Sequence, residues 1–264
     1  MINGSVNREI QRVREEYTRR DLLGLSKVYR YSNPAFLFHM HEREWAILRL
    51  LRSGKIKLDG ISVLEIGCGT GHILQRFLEF GVQLAAGIDL MESRIETGKK
   101  SYPNLRLIIG NAAQLPYASD SFDMVMQFMC LSSVLDPLMR EEIANEMWRV
   151  LRPGGAVLSY DLRPSPLPLV LFSMPYYALR RLFRVFKHKR REITMNAEGP
   201  STPIRPLPIA EVKKIFRRGL MCCSAVSLDF RVSKIAGKSF FLAMLLSYMP
   251  FLRTHYLVLV RKPT

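Results

Sequence analysis

Three glycines at alternate positions, Gly67, Gly69 and Gly71, follow a short apolar run and directly precede a stretch with helical spacing. Glycine lets a backbone turn tightly and approach a ligand with no Cβ in the way. A helix that begins at such a turn offers free N–H groups and the positive end of its dipole. The run therefore predicts a strand, a glycine turn and a helix, and favours a ligand site over a tight turn without one.

The acidic residue before the turn, Glu65, restricts the kind of ligand. A dinucleotide-binding fingerprint would need a glycine at its sixth position, where this chain has His72. The Glu65 carboxylate would also repel a phosphate, whereas it suits a ligand with a cationic amino group. Asp89 ends the next apolar run. It can accept hydrogen bonds from two ribose hydroxyls or cap the following helix, and the two roles are compatible.

Apolar runs alternate with amphipathic stretches along the chain, which predicts a Rossmann-like, right-handed, doubly wound α/β sheet. We predict seven strands, over residues 61–64, 83–90, 105–109, 122–129, 156–160, 221–230 and 254–262. We predict helices over residues 1–30, 35–51, 72–80, 91–101, 138–151, 209–218 and 238–252.

Ligands of such sheets lie at the carboxyl ends of the strands. Polar side chains fall at these ends on five strands: Glu65, Asp89, Asn111, Gln127 and Asp161. We therefore expect these five side chains to converge on one site.

The chain divides into an N-terminal helical cap, residues 1–54, and a ligand-binding domain, residues 55–264. An insertion over 162–205 follows strand five and is too long for a plain loop. It contains an apolar run and then seven Lys or Arg, with no acid, between Arg180 and Arg191. A solvated helix, a nucleic-acid contact and a helix on a membrane surface all fit this pattern. The interleaving of apolar and basic residues favours the membrane, so we expect nucleic acid not to be the partner.

The chain is strongly basic, with 39 Lys and Arg against 23 Asp and Glu, and this charge favours anionic partners. Its four cysteines show no CxxC spacing and no neighbouring histidine cluster, so we expect neither a metal site nor disulfides. We expect a cytoplasmic protein, free or peripheral at the inner face of the membrane. The N-terminus lacks a secretory pattern, and no apolar stretch is long enough for a spanning helix.

The ordered motifs resemble those of class I S-adenosylmethionine (SAM) dependent methyltransferases, of the type 11/25 group. The segments that carry the resemblance are 63–71, 87–90, 110–112, 122–125 and 151–155. The resemblance implies SAM as the cofactor, S-adenosylhomocysteine as the product and no metal. It also implies a mostly parallel sheet whose last strand is antiparallel, and a helical insertion after strand five.

The resemblance also assigns roles along the cofactor. Glu65 and the glycine turn would hold the methionine end, Asp89 the ribose, and Leu90, with residues 111–112, the adenine. The implied cofactor-binding residues are Glu65, Gly67, Cys68, Gly69, Gly71, Asp89, Leu90, Asn111, Ala112 and Gln127.

No catalytic residue is assigned by this pattern. If the acceptor is a hydroxyl, a general base would help. The candidates are His39 and His41 in the second predicted helix and Asp161 at the end of strand five. His39 and His41 are two residues apart and cannot share a helix face.

Three further stretches, 127–136, 160–163 and 251–256, are similar to methyltransferases associated with bacterial envelope polysaccharide and glycolipid biosynthesis. The expected function is O-methylation of a sugar or amphiphilic acceptor, such as a lipid-linked glycan, at the cytoplasmic membrane face. The alternatives are a methyltransferase of a soluble small molecule or RNA, and a non-catalytic binding module with the same fold.

Overall fold

A seven-stranded sheet forms the centre of the computed structural model, which describes residues 2–24, 31–164, 203–216 and 219–264. The strands are β1 Ser62–Ile66, β2 Leu84–Asp89, β3 Arg106–Ile109, β4 Phe122–Phe128, β5 Leu151–Leu162, β6 Leu220–Leu228 and β7 Arg253–Arg261. The helices are α1 Ile2–Leu22, α2 Pro34–Ser53, α3 His72–Glu79, α4 Glu92–Ser101, α5 Pro137–Val150, α6 Ile209–Ile215, α7 Phe230–Ser233 and α8 Phe240–Ser247. The basic run at 180–191 and most of the predicted insertion lie outside the described residues.

The strand order is β3-β2-β1-β4-β5-β7-β6. β1 pairs in parallel with β2 and β4, β2 with β3, and β4 with β5. β7 lies antiparallel between β5 and β6. The predicted Rossmann-like sheet, mostly parallel with an antiparallel last strand, is therefore confirmed. The strands β1 to β5 are mutually parallel, so their carboxyl ends lie at one edge of the sheet.

The two faces of the sheet carry two separate apolar clusters. Leu64, Ile66 and Val125 face α5, with Met147 and Ile143 on that helix completing the first cluster. The second cluster joins the opposite face to α2 and α3, through Val63, Met126, Phe128, Ile47 and Phe77 among others. Because side chains alternate along a strand, Glu65 shares the second face with Val63.

Several predicted boundaries are wrong for local reasons. Strand β5 begins at Leu151, not at Ala156, because residues 152–155 continue as strand past a register shift opposite β4. The helix predicted over 238–252 is reduced to α8, since the Ser239 hydroxyl caps its start and Pro250 begins a separate 3₁₀ turn. Helix α6 ends at Ile215 and α1 ends at Leu22.

The ends of the long segment after β5 are fixed to the sheet. Leu207 N–H donates to the Leu162 carbonyl at 2.9 Å, and Arg163 N–H donates to the Thr254 carbonyl at 3.0 Å. Arg205 N–H donates to the Ser132 carbonyl at 2.9 Å. The chain thus leaves and rejoins the fold at one place, next to the loop that follows β4.

Helix α1 crosses the carboxyl edge of the sheet and is attached by polar contacts. Glu9 accepts a hydrogen bond from Leu135 N–H and pairs with Arg12 at 2.8 Å. Arg12 also donates to the Ser133 carbonyl at 2.6 Å. The Tyr17 hydroxyl lies 2.9 Å from the Ser133 hydroxyl. Burial alone would raise the pKa of Glu9, but the hydrogen bonds from Arg12 and Leu135 outweigh it and lower the pKa.

Candidate functional site

A cavity of about 640 Å³, measured to its open mouth, lies at the carboxyl edge of the sheet beneath α1. Its walls come from α1, the loops after β1 to β4, α4 and α5: Val13, Tyr17, Gly67, Ile88, Asp89, Leu90, Met91, Arg94, Gly110, Asn111, Ala112, Met129, Cys130, Ser133, Val134, Met139 and Ile143. The structure therefore brings five of the predicted cofactor-binding residues together here: Gly67, Asp89, Leu90, Asn111 and Ala112.

The three loop glycines are needed for different reasons. All three have positive φ angles, which residues other than glycine rarely adopt. A Cβ on Gly67 would come within 2.9 Å of the Cys130 sulfur, and one on Gly71 within 2.7 Å of Leu105. A Cβ on Gly69 would meet nothing within 4 Å. Gly67 and Gly71 therefore permit internal packing, whereas Gly69 leaves open space beside the backbone.

The Asp89 carboxylate ties this loop to the next strand. One oxygen accepts from Gly69 N–H at 2.8 Å and the other from Met91 N–H at 2.9 Å. A carboxylate can accept about four hydrogen bonds, so each oxygen keeps capacity for a ligand hydroxyl. Asp89 thus serves the local turn and still faces the cavity, which fits a ribose with two hydroxyls.

Asn111 also lines the cavity and is oriented by its own loop. Its Oδ1 accepts from Ala113 N–H at 2.9 Å. The side-chain NH₂ remains as the group that can donate to an adenine ring nitrogen. Ala112 beside it is small and nearly buried, which suits contact with a flat ring.

Glu65 in β1 is 1 % exposed and accepts a hydrogen bond from the Leu74 backbone N–H in the first turn of α3. Its Oε2 has no hydrogen-bond partner among the described residues. Burial raises the pKa of Glu65 well above its usual range, while Arg43 opposes the rise and Asp89 adds to it. A buried carboxyl with an unsatisfied oxygen fits a ligand that brings a positive charge, such as the ammonium of an amino acid.

Cys68 contributes its backbone to this loop, because its side chain is directed into the protein. The thiol is 4 % exposed and packs against Gly87, where a Cβ would approach the sulfur to 2.7 Å. Burial raises its pKa.

Glu65, Gln127 and Asp161 are not among the residues that line the cavity, contrary to the prediction that all five strand-end side chains converge on one site. Gln127 is fully buried; its amide donates to Ser159 Oγ at 2.6 Å and to Asp161 at 3.2 Å, and its oxygen accepts from Cys130 N–H at 2.8 Å. Asp161 also accepts from Ser132 N–H at 3.0 Å. Burial raises the pKa of Asp161 to about 6 against these hydrogen bonds. Through these hydrogen bonds, Gln127 and Asp161 fix the conformation of the loop after β4.

The two candidate histidines of α2 lie on different faces, as their spacing predicts. His41 is exposed. His39 stacks on Phe230, with ring centroids 5.5 Å apart, and its buried Nε2 has no partner among the described residues. Burial, assisted by Arg43, lowers the pKa of His39 to about 4.

The sequence analysis assigned no role to the cavity residues Tyr17 and Arg94. In the structure the Arg94 guanidinium lies 4.6 Å above the Tyr17 ring and pairs with Asp21 at 2.7 Å. No local signal could have found this contact, because it joins α1 to α4 across the fold.

Comparison with known proteins identifies the segment that builds this site. Residues 63–155 match the family model described as a methyltransferase domain. Demethylmenaquinone methyltransferase of Staphylococcus aureus (strain MRSA252) is 31 % identical over 160 residues, which are 59 % of this chain and 64 % of the relative. The enzyme of the same name from Lactococcus lactis is 29 % identical over 62 % of this chain and 65 % of its own length. The chain thus spans just under two thirds of these relatives.

Solved structures give the same architecture. A SAM-dependent methyltransferase from Methanosarcina mazei superposes with a TM-score of 0.54 at 19 % identity, covering 78 % of this chain and 93 % of that one. One from Mesorhizobium loti gives 0.53 at 16 % identity, covering 81 % and 96 %. At these identities the likeness shows the fold. The family match adds that residues 63–155 are similar to a methyltransferase domain.

Gly69→Val should abolish binding of S-adenosylhomocysteine, because its side chain would fill the open space beside the loop. Gly60→Val is the matched control, since Gly60 also has a positive φ and open space but lies away from the cavity. Both variants should lose about 1–2 kcal/mol of stability from backbone strain. Titration calorimetry and thermal unfolding measure the two effects. Equal affinity in both variants would contradict this role of Gly69.

Binding of S-adenosylhomocysteine should release protons. Burial raises the pKa of Glu65 and so favours the protonated carboxyl in the free protein, whereas an arriving ammonium favours the ionised form. Affinity should therefore rise with pH through the raised pKa. Calorimetry in two buffers of different ionisation enthalpy measures the release, which Glu65→Gln should remove. If the wild type and Glu65→Gln released the same number of protons, Glu65 would not ionise on binding.

Proposed function

We propose that the chain is a SAM-dependent methyltransferase whose acceptor is an amphiphilic small molecule presented at the cytoplasmic face of a membrane. The observation that supports the activity is the meeting of the glycine loop, Asp89 and Asn111 on one cavity within a methyltransferase domain. The alternative is a binding module that has lost catalysis. An open loop at Gly69 and a cavity-facing carboxylate at Asp89 argue against that alternative.

When bound, SAM supplies a methyl group that is already activated on a sulfonium. The chain must then hold the cofactor, exclude water and orient the acceptor. In this proposal Asp89 accepts hydrogen bonds from the ribose, and Glu65 faces the ammonium. Tyr17 on α1 covers the cavity, fixed by its hydroxyl contact with Ser133. The described residues contain no group of three or more side chains suited to a metal ion.

His39 is the base that we favour among the three candidates, because His41 is exposed and Asp161 is occupied by hydrogen bonds. With a pKa near 4, His39 is neutral at pH 7 and can accept a proton, but it is a weak base. A weak base suits an acceptor that ionises readily, such as a phenol that is methylated on its oxygen or on an activated ring carbon. It suits the alcohol of a sugar less well.

The relatives agree with this preference. Two of them are named demethylmenaquinone methyltransferases, which makes a quinone-type acceptor with an apolar tail our first candidate for this chain. A hydroxyl of a lipid-linked sugar, the acceptor expected from the sequence, is the second candidate. Both are amphiphiles, so both need a route from a lipid layer to the cavity.

An exposed apolar surface on α8 supports contact with lipid. We call residues 240–251 the α8 surface. Phe241 is 64 % exposed and Tyr248 is 65 % exposed, and this stretch has no charged residue between Lys238 and Arg253. Contiguous exposed apolar patches of this kind mark sites of protein or membrane contact. None of the described helices is both long and apolar enough to cross a bilayer, so the contact would be peripheral.

A panel of acceptors tests the proposed activity. The purified protein should transfer a labelled methyl group from SAM to a demethylated quinone in detergent or vesicles. Transfer to a lipid-linked sugar should be slower, and transfer to bare tRNA should be absent. Scintillation counting and mass spectrometry of extracted product measure transfer. Failure to bind SAM would overturn the activity, and faster transfer to tRNA would overturn the acceptor class.

Vesicle binding tests the membrane contact. The wild-type protein should sediment with vesicles that contain anionic lipid, because its net charge of +16 adds electrostatic attraction to the apolar contact. The double variant Phe241→Glu, Leu245→Glu should stay in the supernatant. Leu138→Glu is the matched control, because Leu138 is an equally exposed apolar residue on α5. Equal sedimentation of all three proteins would refute docking through the α8 surface.

A further inference from the structure

Arg43 is a half-buried cation of α2 that has no carboxylate partner among the described residues. Its guanidinium carbon lies 5.3 Å from the ring centre of Phe128 and 5.5 Å from that of Tyr160. One N–H points at the Met40 sulfur, a weak acceptor. The aromatic faces therefore hold the guanidinium in place at the carboxyl ends of β4 and β5 and leave most of its donors unused.

Glu65 is a buried carboxyl on which the charge of Arg43 acts. It shares a sheet face with Phe128, and its strand β1 pairs directly with β4. The two groups interact electrostatically, yet they form no ion pair within 4 Å. A buried carboxyl with an unsatisfied oxygen and a half-buried guanidinium without a carboxylate partner are costly unless a ligand satisfies them.

We propose that Arg43 binds the α-carboxylate of SAM while Glu65 binds its ammonium group. The two side chains then form a receptor for a zwitterion. This inference rests on the proposed function, since it assumes that SAM is the ligand, and it adds a residue of α2 to the site.

The chemistry of the two groups fits this ligand. Guanidinium and carboxylate match in shape and form two parallel hydrogen bonds, which makes arginine selective for carboxylates. The ammonium and carboxylate of an amino acid are separated by one carbon, so a receptor needs opposite charges that are close but not joined. Arg43 and Glu65 interact electrostatically without forming an ion pair within 4 Å, as such a receptor requires.

Three ligands distinguish this role from general packing. They are S-adenosylhomocysteine, its decarboxylated analogue and methylthioadenosine, which lacks the whole amino-acid end. Arg43→Met should lower the affinity for S-adenosylhomocysteine about 10- to 100-fold, the usual effect of losing a charged hydrogen bond. It should leave the other two ligands within about twofold of the wild-type affinity. Arg49→Met, an exposed arginine of the same helix, is the matched control and should change no affinity.

The outcomes separate the two proposals. If the wild-type protein binds none of the three ligands, the proposed function itself fails. If Arg43→Met weakens all three ligands equally, or none of them, the zwitterion receptor is overturned. Thermal unfolding without ligand verifies the fold of each variant. If Arg43→Met does not fold, Arg43→Lys replaces it, because lysine keeps the charge but cannot form two parallel hydrogen bonds with a carboxylate. The proposal then requires that Arg43→Lys lowers the affinity for S-adenosylhomocysteine but not for the other two ligands.

Discussion

The hydrogen bond from Gly69 N–H to the Asp89 carboxylate is the contact on which the site depends. It joins the loop after β1 to the end of β2, and the second Asp89 oxygen fixes the start of α4 through Met91 N–H. One side chain therefore sets the spacing of three elements around the cavity. The positive φ of Gly69 is what allows its N–H to turn toward Asp89 without a side chain in the ligand space.

Much of the fold could be predicted because its signals are local. Alternating and helical periodicities mark β1 to β4 and α3 to α5, and the glycine turn marks the ligand edge. Gln127 and Asp161 show the limit of that approach. Strand order places a residue near an edge, but whether its side chain reaches a cavity depends on which neighbours are already bonded to it. Their amide and carboxylate are satisfied by Ser159, Ser132 and each other.

Long-range contacts account for the remaining gap between sequence and site. The attachment of α1 joins Glu9 and Tyr17 to the loop after β4, more than a hundred positions away in the chain. Arg43 likewise owes its position to aromatic rings on two strands that follow it. Neither arrangement has a spacing pattern, since each is decided by how helices lie on the finished sheet. The helices that precede β1 therefore supply the part of the site that motifs do not reveal.

The hydrogen bond between Leu207 and Leu162 bears on how the fold tolerates changes in chain length. It brings together the two ends of the segment that follows β5, so the sheet, the glycine loop and Asp89 lie outside the closed loop. Loop-closure entropy grows only with the logarithm of loop length, and doubling a flexible loop costs about 0.6 kcal/mol. Insertions or deletions between these two ends would therefore leave the residues around the cavity in place.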